Sequence, residues 1–238
     1  MLPNANYMDK QNELNWDDRW ALVNWLIHVH QQLGLLPEVL FLAVNYLDRF
    51  LSRRVISKTK LQLAGISALR LADKYENDGH RYLAVDDILR LSFGAYPRGQ
   101  IIRAECVVLE ELQWDLGWPG PLSFLRRISE ADDFEPEIRT LARYFLEVAL
   151  MDSHFVAIAP SLMAAGAYCL ALFMLQRGSW SFEHYLLTQS KYTHSDLEPL
   201  LEDIIESCRG INNETAVFVK YSHKRFNMAS LVVQRELL

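Results

Sequence analysis

Between Leu61 and Asn77 the chain reads LQLAGISALRLADKYEN, with apolar or small residues at Leu61, Ala64, Gly65, Ala68, Leu71, Ala72 and Tyr75. That spacing is helical, and the Ala and Gly positions flatten one face so that other helices approach closely. Ser57, four residues ahead of Leu61, stands where an N-cap is expected. A helix apolar on nearly every side is a central one, wrapped by others. Charge appears only at its C-terminal tip, Ala72-Asp73-Lys74-Tyr75-Glu76-Asn77. A buried hub thus reaches the surface at a charged end, and the surface tip of a rigid element is a good place for a binding site.

The rest of the chain supplies the helices that wrap it. Its 238 residues, half of them hydrophobic, are enough for two packed domains. A formal charge of −6 argues against a nucleic-acid partner. Cys106, Cys169 and Cys208 are widely spaced and odd in number, and each sits in a helical pattern, which reads as reduced and intracellular. The opening residues show no signal peptide. The most apolar run, Leu162 to Leu175, has the length of a buried helix and is too short to span a bilayer, so no membrane partner is expected. No strand alternation or Asn-Gly hairpin signal persists, and the fold class is expected to be all-α.

In chain order, residues 1–15 read as an extended lead-in. Helices follow at about Trp16 to Leu33, stopped by Gly34, and from Pro37 to about Ser52. The hub is third, a short helix near Val85 to Leu91 is fourth, and one from Arg98 to Leu112 is fifth. Residues 16–116 then form one five-helix unit, and Gly117-Trp118-Pro119-Gly120-Pro121 reads as a linker, 117–121. Residues 122–238 repeat the plan, with helices expected at Leu122 to Ser129, Glu135 to Asp152, Pro160 to Gln176, Ser195 to Cys208 and Glu214 to Tyr221. Two echoes support a duplication. Leu61-Gln-Leu-Ala-Gly-Ile-Ser-Ala-Leu answers Leu162-Met-Ala-Ala-Gly-Ala-Tyr-Cys-Leu, and Val44-Asn-Tyr-Leu-Asp48 answers Val148-Ala-Leu-Met-Asp152.

Some charges fall on faces that should be apolar. Arg19 and Asp48 lie on inward faces of the first two helices, where opposite charges are best explained as one buried structural pair. Glu105 interrupts the apolar row of the fifth helix, and Lys74 stands at the tip of the hub. If those helices pack side by side the two emerge together, ringed by Leu71, Tyr75, Leu109, Trp114 and Leu116. Residue physics leaves two readings open, an ordinary salt bridge or a pair facing a protein partner. No phosphate-cradling glycine loop, CxxC or HExxH pattern occurs, and neither a metal nor a cofactor is expected. Asp132-Asp133-Phe134-Glu135 faintly resembles the acidic motif of all-α terpenoid synthases. It directly precedes Pro136 and a helix, where acids simply complement the helix dipole.

The ordered motifs carry a family resemblance. Tyr7-Met8-Asp9-Lys10-Gln11, Leu22-Val-Asn-Trp25-Leu26-Ile-His-Val, Leu36-Pro-Glu, Leu42-Ala-Val-Asn-Tyr-Leu-Asp48-Arg-Phe-Leu, Leu61-Gln62-Leu63-Ala-Gly and Ala72-Asp-Lys74-Tyr75-Glu76 are similar to a cyclin box and the segment leading into it. Pro121-Leu-Ser-Phe-Leu-Arg126-Arg127 and Tyr221-Ser-His-Lys-Arg-Phe resemble features of the B-type second fold. The chain resembles a B-type mitotic cyclin, most like the fungal ones, over almost its whole length. The resemblance implies two tandem five-helix cyclin folds. It implies a non-catalytic activator of a cyclin-dependent serine/threonine kinase, working at G2/M in the nucleus and cytoplasm. Lys74 and Glu105 match the family's lysine–glutamate pair that grips the kinase's mobile regulatory helix. Leu71, Tyr75, Glu76, Leu109, Trp114 and Leu116 match its surround, although the family's second glutamate after Lys-Tyr is Asn77 here.

Two further sites follow from the resemblance. Leu22, Trp25 and Gln62 match the patch that docks substrates and inhibitors carrying Arg-x-Leu motifs. Asp18, Ala21 and His28 replace that patch's methionine, isoleucine and acid, so weak or altered docking is expected. Arg126, Arg139 and Arg143 match a phosphate-binding pocket described in B-type cyclins, where three guanidinia suit a phosphorylated peptide. A solvated basic face is the alternative. B-type cyclins also carry an N-terminal degradation signal and an extra kinase-holding helix. Neither is read in these residues, which leaves a trimmed fragment and a reduced cyclin both open.

Overall fold

The computed structural model describes residues 1–77, 82–92, 94–188 and 192–237, and among these there is no strand. It divides into two compact units, Met1–Trp118 and Pro119–Leu238. The first contains α1 (Trp16–Leu33), α2 (Pro37–Arg53), α3 (Lys58–Glu76), α4 (Val85–Leu91) and α5 (Arg98–Glu111). A reciprocal capping box starts α1: the Asn15 side chain accepts the Asp18 N–H at 2.9 Å, and the Asp18 carboxylate accepts the Asn15 N–H at 3.2 Å. Gly34, at φ 62, ends it in the left-handed conformation that suits glycine. Ser57 holds the N-cap position of α3, but its hydroxyl makes no cap bond and meets Thr59 Oγ1 at 3.0 Å instead.

The expected hub, α3, shares the centre of this unit with α2. Every residue of α3 from Leu63 to Asp73 is buried, and so is every residue of α2 from Val39 to Leu51. Polar residues disguised α2 in the sequence, and the structure supplies their partners from other parts of the chain. Residues 1–15 are not a loose extended lead-in. They include a 3-10 turn, Tyr7–Lys10, and lie along α2 as a strap. The Asn4 N–H donates to Ser52 Oγ at 3.0 Å, and Gln11 Nε2 donates to the carbonyls of Leu51 and Arg54 at 2.9 and 2.8 Å. Arg19 and Asp48 meet in a buried, two-pronged pair. Arg19 Nε and Nη2 each lie 2.8 Å from a different Asp48 oxygen, and the Tyr7 hydroxyl donates to Asp48 Oδ1 at 2.8 Å. The flat face of α3 does its expected job: a Cβ on Gly65 would come within 3.0 Å of the Leu22 methyls of α1.

The second unit contains α6 (Pro121–Ile128), α7 (Pro136–Met151), α8 (Pro160–Met174), α9 (Phe182–Leu187), α10 (His194–Arg209), α11 (Ala216–Tyr221) and α12 (Ala229–Leu237). The sequence reading held five of these. It lacked α9, whose six residues leave Phe182 and Leu186 exposed, and α12, whose Leu231-Val232-Val233 run is too short and β-branched to declare a period. The apolar run reads correctly as α8, buried from Met163 to Leu172. Gly166 is its close-approach point, since a Cβ there would lie 2.5 Å from Leu200 Cδ2 of α10. This unit also hides an ion cluster that the sequence did not reveal. Lys220 Nζ sits 2.6 and 2.7 Å from the two Glu147 oxygens, and the Tyr221 hydroxyl donates to Glu147 at 2.8 Å.

Candidate functional site: the charged tip of α3

Helices α3 and α5 pack side by side, and this brings Lys74 and Glu105 together. Glu105 Oε1 contacts Lys74 Nζ, while Glu105 Oε2 contacts Arg70 Nη1. Arg70 was missed in the sequence, although it stands four residues before Lys74 and so on the same helical face. Arg70 Nε also donates to the Leu83 carbonyl at 3.1 Å, and the Leu83 N–H donates to Asp73 Oδ2 at 2.6 Å. The cluster is therefore one buried carboxylate shared by two cations, with the chain around Leu83 tied to α3 at both ends of one residue.

The two cations differ in access. Glu105 and Arg70 are buried, whereas the Lys74 side chain is 35% exposed. Burial and then the like charge of Arg70 push the Lys74 ammonium below the usual lysine value. The carboxylate in contact with it works the other way. A lysine ammonium has three N–H donors, so Lys74 can contact Glu105 and still donate to an outside acceptor. The Tyr82 ring lies 5.9 Å from the ammonium.

Apolar side chains are exposed on the helices that carry this cluster and on the chain just after α5. Tyr75 is 48% exposed and Trp114 is 71% exposed, and Ile102 on α5 and Tyr82 are also open to solvent. Leu109, Leu116 and Glu76 are half-buried. Leu71 lies beneath the surface, with 5% exposure, and supports it from the core. An uncovered tryptophan and tyrosine flanking a charged group are the residue types enriched where protein interfaces bind most strongly.

The matched docking patch is partly consumed by packing. Leu22 is buried against Gly65, and Gln62 Oε1 accepts the Tyr96 hydroxyl at 3.0 Å. Trp25 is half-buried. Asp18 caps α1 and pairs with Lys58 at 2.6 Å.

In the second unit, Arg139 and Arg143 lie one turn apart on α7, and Arg126 is carried by α6, a helix that contacts α7. The Nε atoms of Arg139 and Arg143 are buried with no hydrogen-bond partner among the described residues. The Arg139 guanidinium sits 5.8 Å from the Phe134 ring centre, and Arg143 faces the Tyr221 hydroxyl. The acidic run before α7 is otherwise engaged. Asp132 accepts the Tyr168 hydroxyl at 2.9 Å and meets His184 Nε2 at 2.7 Å. Among the described residues no three His, Cys, Asp or Glu side chains converge as metal ligands, and no helix is long and apolar enough to cross a membrane.

Comparison with known proteins places the chain in a family. Residues 1–117 match the cyclin N-terminal domain and residues 119–235 the cyclin C-terminal domain. The chain is 45% identical over 233 residues to G2/mitotic-specific cyclin-4 of Candida albicans, covering 98% of this chain and 47% of that protein. It is 42% identical over 234 residues to G2/mitotic-specific cyclin-3 of Saccharomyces cerevisiae, covering 98% and 54%. It thus spans about half the length of these relatives. A viral cyclin from herpesvirus saimiri shares the fold with a TM-score of 0.72 at 21% identity, covering 84% of this chain and 89% of that one. A chain of the yeast RNA polymerase II CTD kinase CTDK-1 complex does so with a TM-score of 0.62 at 15% identity, covering 85% and 70%. With residues 1–117 and 119–235 matched by the two cyclin domains, the chain belongs to the cyclin family.

Proposed function

We propose that this chain is the kinase-binding part of a mitotic cyclin. It is a non-catalytic subunit that binds and activates a cyclin-dependent serine/threonine kinase, helps select its substrates, and acts at G2/M in the nucleus and cytoplasm. The observation that carries this reading is the Lys74–Glu105–Arg70 cluster emerging beside the exposed rings of Tyr75 and Trp114. The mitotic names of the fungal relatives support it. The mechanism is conformational. The tip of α3 and the end of α5 grip the kinase's mobile regulatory helix and hold it inward, so that the kinase's own Lys–Glu pair forms and its activation loop opens. Binding energy drives this change only because the active kinase is bound more tightly than the inactive one. The interface belongs to the large class, roughly 2,000–5,000 Å². Gel filtration of the chain with a fungal cyclin-dependent kinase tests the reading. A 1:1 complex that is lost on Lys74→Ala/Glu105→Ala supports it, and a complex indifferent to that change contradicts it.

Two subsidiary sites belong to the same proposal. Arg126, Arg139 and Arg143 bind phosphorylated peptides, a reading favoured by the buried Nε donors of Arg139 and Arg143, which have no partner among the described residues. Equal affinity for phosphorylated and plain peptides would remove it. The Leu22, Trp25 and Gln62 patch docks Arg-x-Leu peptides weakly, because Leu22 and Gln62 already have partners and Asp18 is occupied. Tight binding of such a peptide, lost on Trp25→Ala, would overturn that.

A further inference from the structure

The backbone that displays Trp114 is pinned by a helix the sequence did not connect with the site. After α5 the chain turns through Gln113 and Trp114, both left-handed, at φ 56 and 59. Side chains other than glycine seldom hold that conformation, and two in a row need support from their surroundings. Three residues of α2, spaced so that they line one face, supply it. Arg53 donates to the Glu111 carbonyl, Arg49 Nη2 pairs with Asp115 Oδ2 at 3.3 Å, and the Tyr46 hydroxyl donates to the Leu116 carbonyl at 2.9 Å. Gly117 closes the segment beneath Tyr75, where a Cβ would lie 3.1 Å from the tyrosine hydroxyl. Residues 111–117 are thus held on both sides of Trp114 while its ring stays 71% exposed.

This is an unusual use of charge. Arg49 is buried, and its Nη1 has no hydrogen-bond partner among the described residues. Its contact is a single 3.3 Å pairing with an Asp115 side chain that is half exposed. Such a bridge is a poor device for stability, since removing a guanidinium from water offsets most of the Coulombic gain. It is a good device for direction, because it fixes where the chain after α5 runs. A loop that must be ordered when a partner arrives loses binding free energy, and one already ordered does not.

We infer that Tyr46, Arg49 and Arg53 are positioning residues for kinase binding, holding the 111–117 backbone so that Trp114 is presented in its bound orientation before the kinase arrives. The inference rests on the kinase-binding reading above and adds the residues of α2 to it. None of the three needs to touch the kinase, so they act through Trp114.

The test is a double-mutant cycle on affinity for a purified fungal cyclin-dependent kinase, with circular dichroism and thermal melts on every variant. Arg53→Met keeps the exposed side-chain stem, and Tyr46→Phe keeps the packing and removes one hydroxyl. Each is expected to weaken binding about fivefold, the value of one net hydrogen bond. In a Trp114→Ala background each is expected to fall below about twofold, since residues that act through one another are not additive. If Trp114→Ala weakens binding but Arg53→Met and Tyr46→Phe bind like wild type, or lose as much with Trp114 absent as present, the positioning role is overturned and the kinase site stands. If Trp114→Ala and Lys74→Ala/Glu105→Ala both bind like wild type, the kinase site fails and the inference falls with it.

Discussion

Arg19 shows how much a single buried charge demands. Burial alone would lower its guanidinium, but the facing Asp48 carboxylate outweighs that and holds it above the ordinary arginine value. Two nitrogens, two oxygens and the Tyr7 hydroxyl complete the arrangement, so removing one member strands the others. Asp48→Ala is expected to cost roughly 3–5 kcal/mol in denaturant unfolding. A loss below about 1 kcal/mol, the scale of a solvent-exposed pair, would contradict this account. The pair was legible because each charge broke an apolar row. Tyr7 was not, since nothing in a polar lead-in marks a tyrosine for the core. Glu147 and Lys220 were missed for a related reason: they are far apart in sequence, and Lys220 lies in a helix of six residues, too short for a charge to stand out against a period. The cysteines give a second check at this scale. Burial pushes the Cys169 thiol up to about 11 and the Cys208 thiol up to about 12, while Cys106 is exposed. A raised thiol value favours the protonated form, so both buried thiols stay neutral and unreactive near pH 8. The stability they contribute is complete below the ordinary thiol value of 9.0 and is lost as pH climbs through about 11 to 12. Iodoacetamide at pH 8 is expected to label Cys106 alone. Labelling of all three in the folded chain at the same rate would contradict the burial.

Among the described residues, helix-like segments end three times in the same way, and the ends matter more than the helices. Trp114 N–H reaches the Leu109 carbonyl at 3.2 Å, Phe134 N–H the Ser129 carbonyl at 2.8 Å, and Met228 N–H the His223 carbonyl at 3.3 Å. Each closure uses two consecutive left-handed residues and leaves the second, a large apolar side chain, open to solvent. Sequence patterns do not announce them, because none of the six residues is glycine and only two are Asn or Asp. Besides Gly34, the glycines that were legible are the packing ones. Gly65 and Gly166 sit in helix middles, where glycine is otherwise costly, and each meets a leucine of another helix. Gly166→Val is expected to destabilise the second unit by roughly 1–3 kcal/mol through overpacking against Leu200. No change in the thermal midpoint would show that α8 and α10 have room to spare. The hub expectation was half of the truth for the same kind of reason. Periodicity finds a helix whose outside is apolar, and it overlooks α2, whose polar residues are covered by a strap and by the chain after α5.

Across the whole molecule, periodicity and punctuation were enough to read an all-α chain in two halves, each with an Ala-Gly helix at its core. They were enough to mark Lys74 and Glu105 as charges out of place. They did not assign the pair a purpose, because an ordinary salt bridge and half of an interface look alike in a sequence. They did not add Arg70, whose contribution depends on α5 lying against α3. The account turns on that tip being where a kinase is gripped and switched on. Histone-kinase activity of a fungal cyclin-dependent kinase mixed with this chain, set against the Lys74→Ala/Glu105→Ala variant, tests it most directly. The native chain is expected to activate the kinase, and the variant, still helical by circular dichroism, to fail. Full activation by the variant would contradict the account, as would a native chain that neither activates the kinase nor binds it.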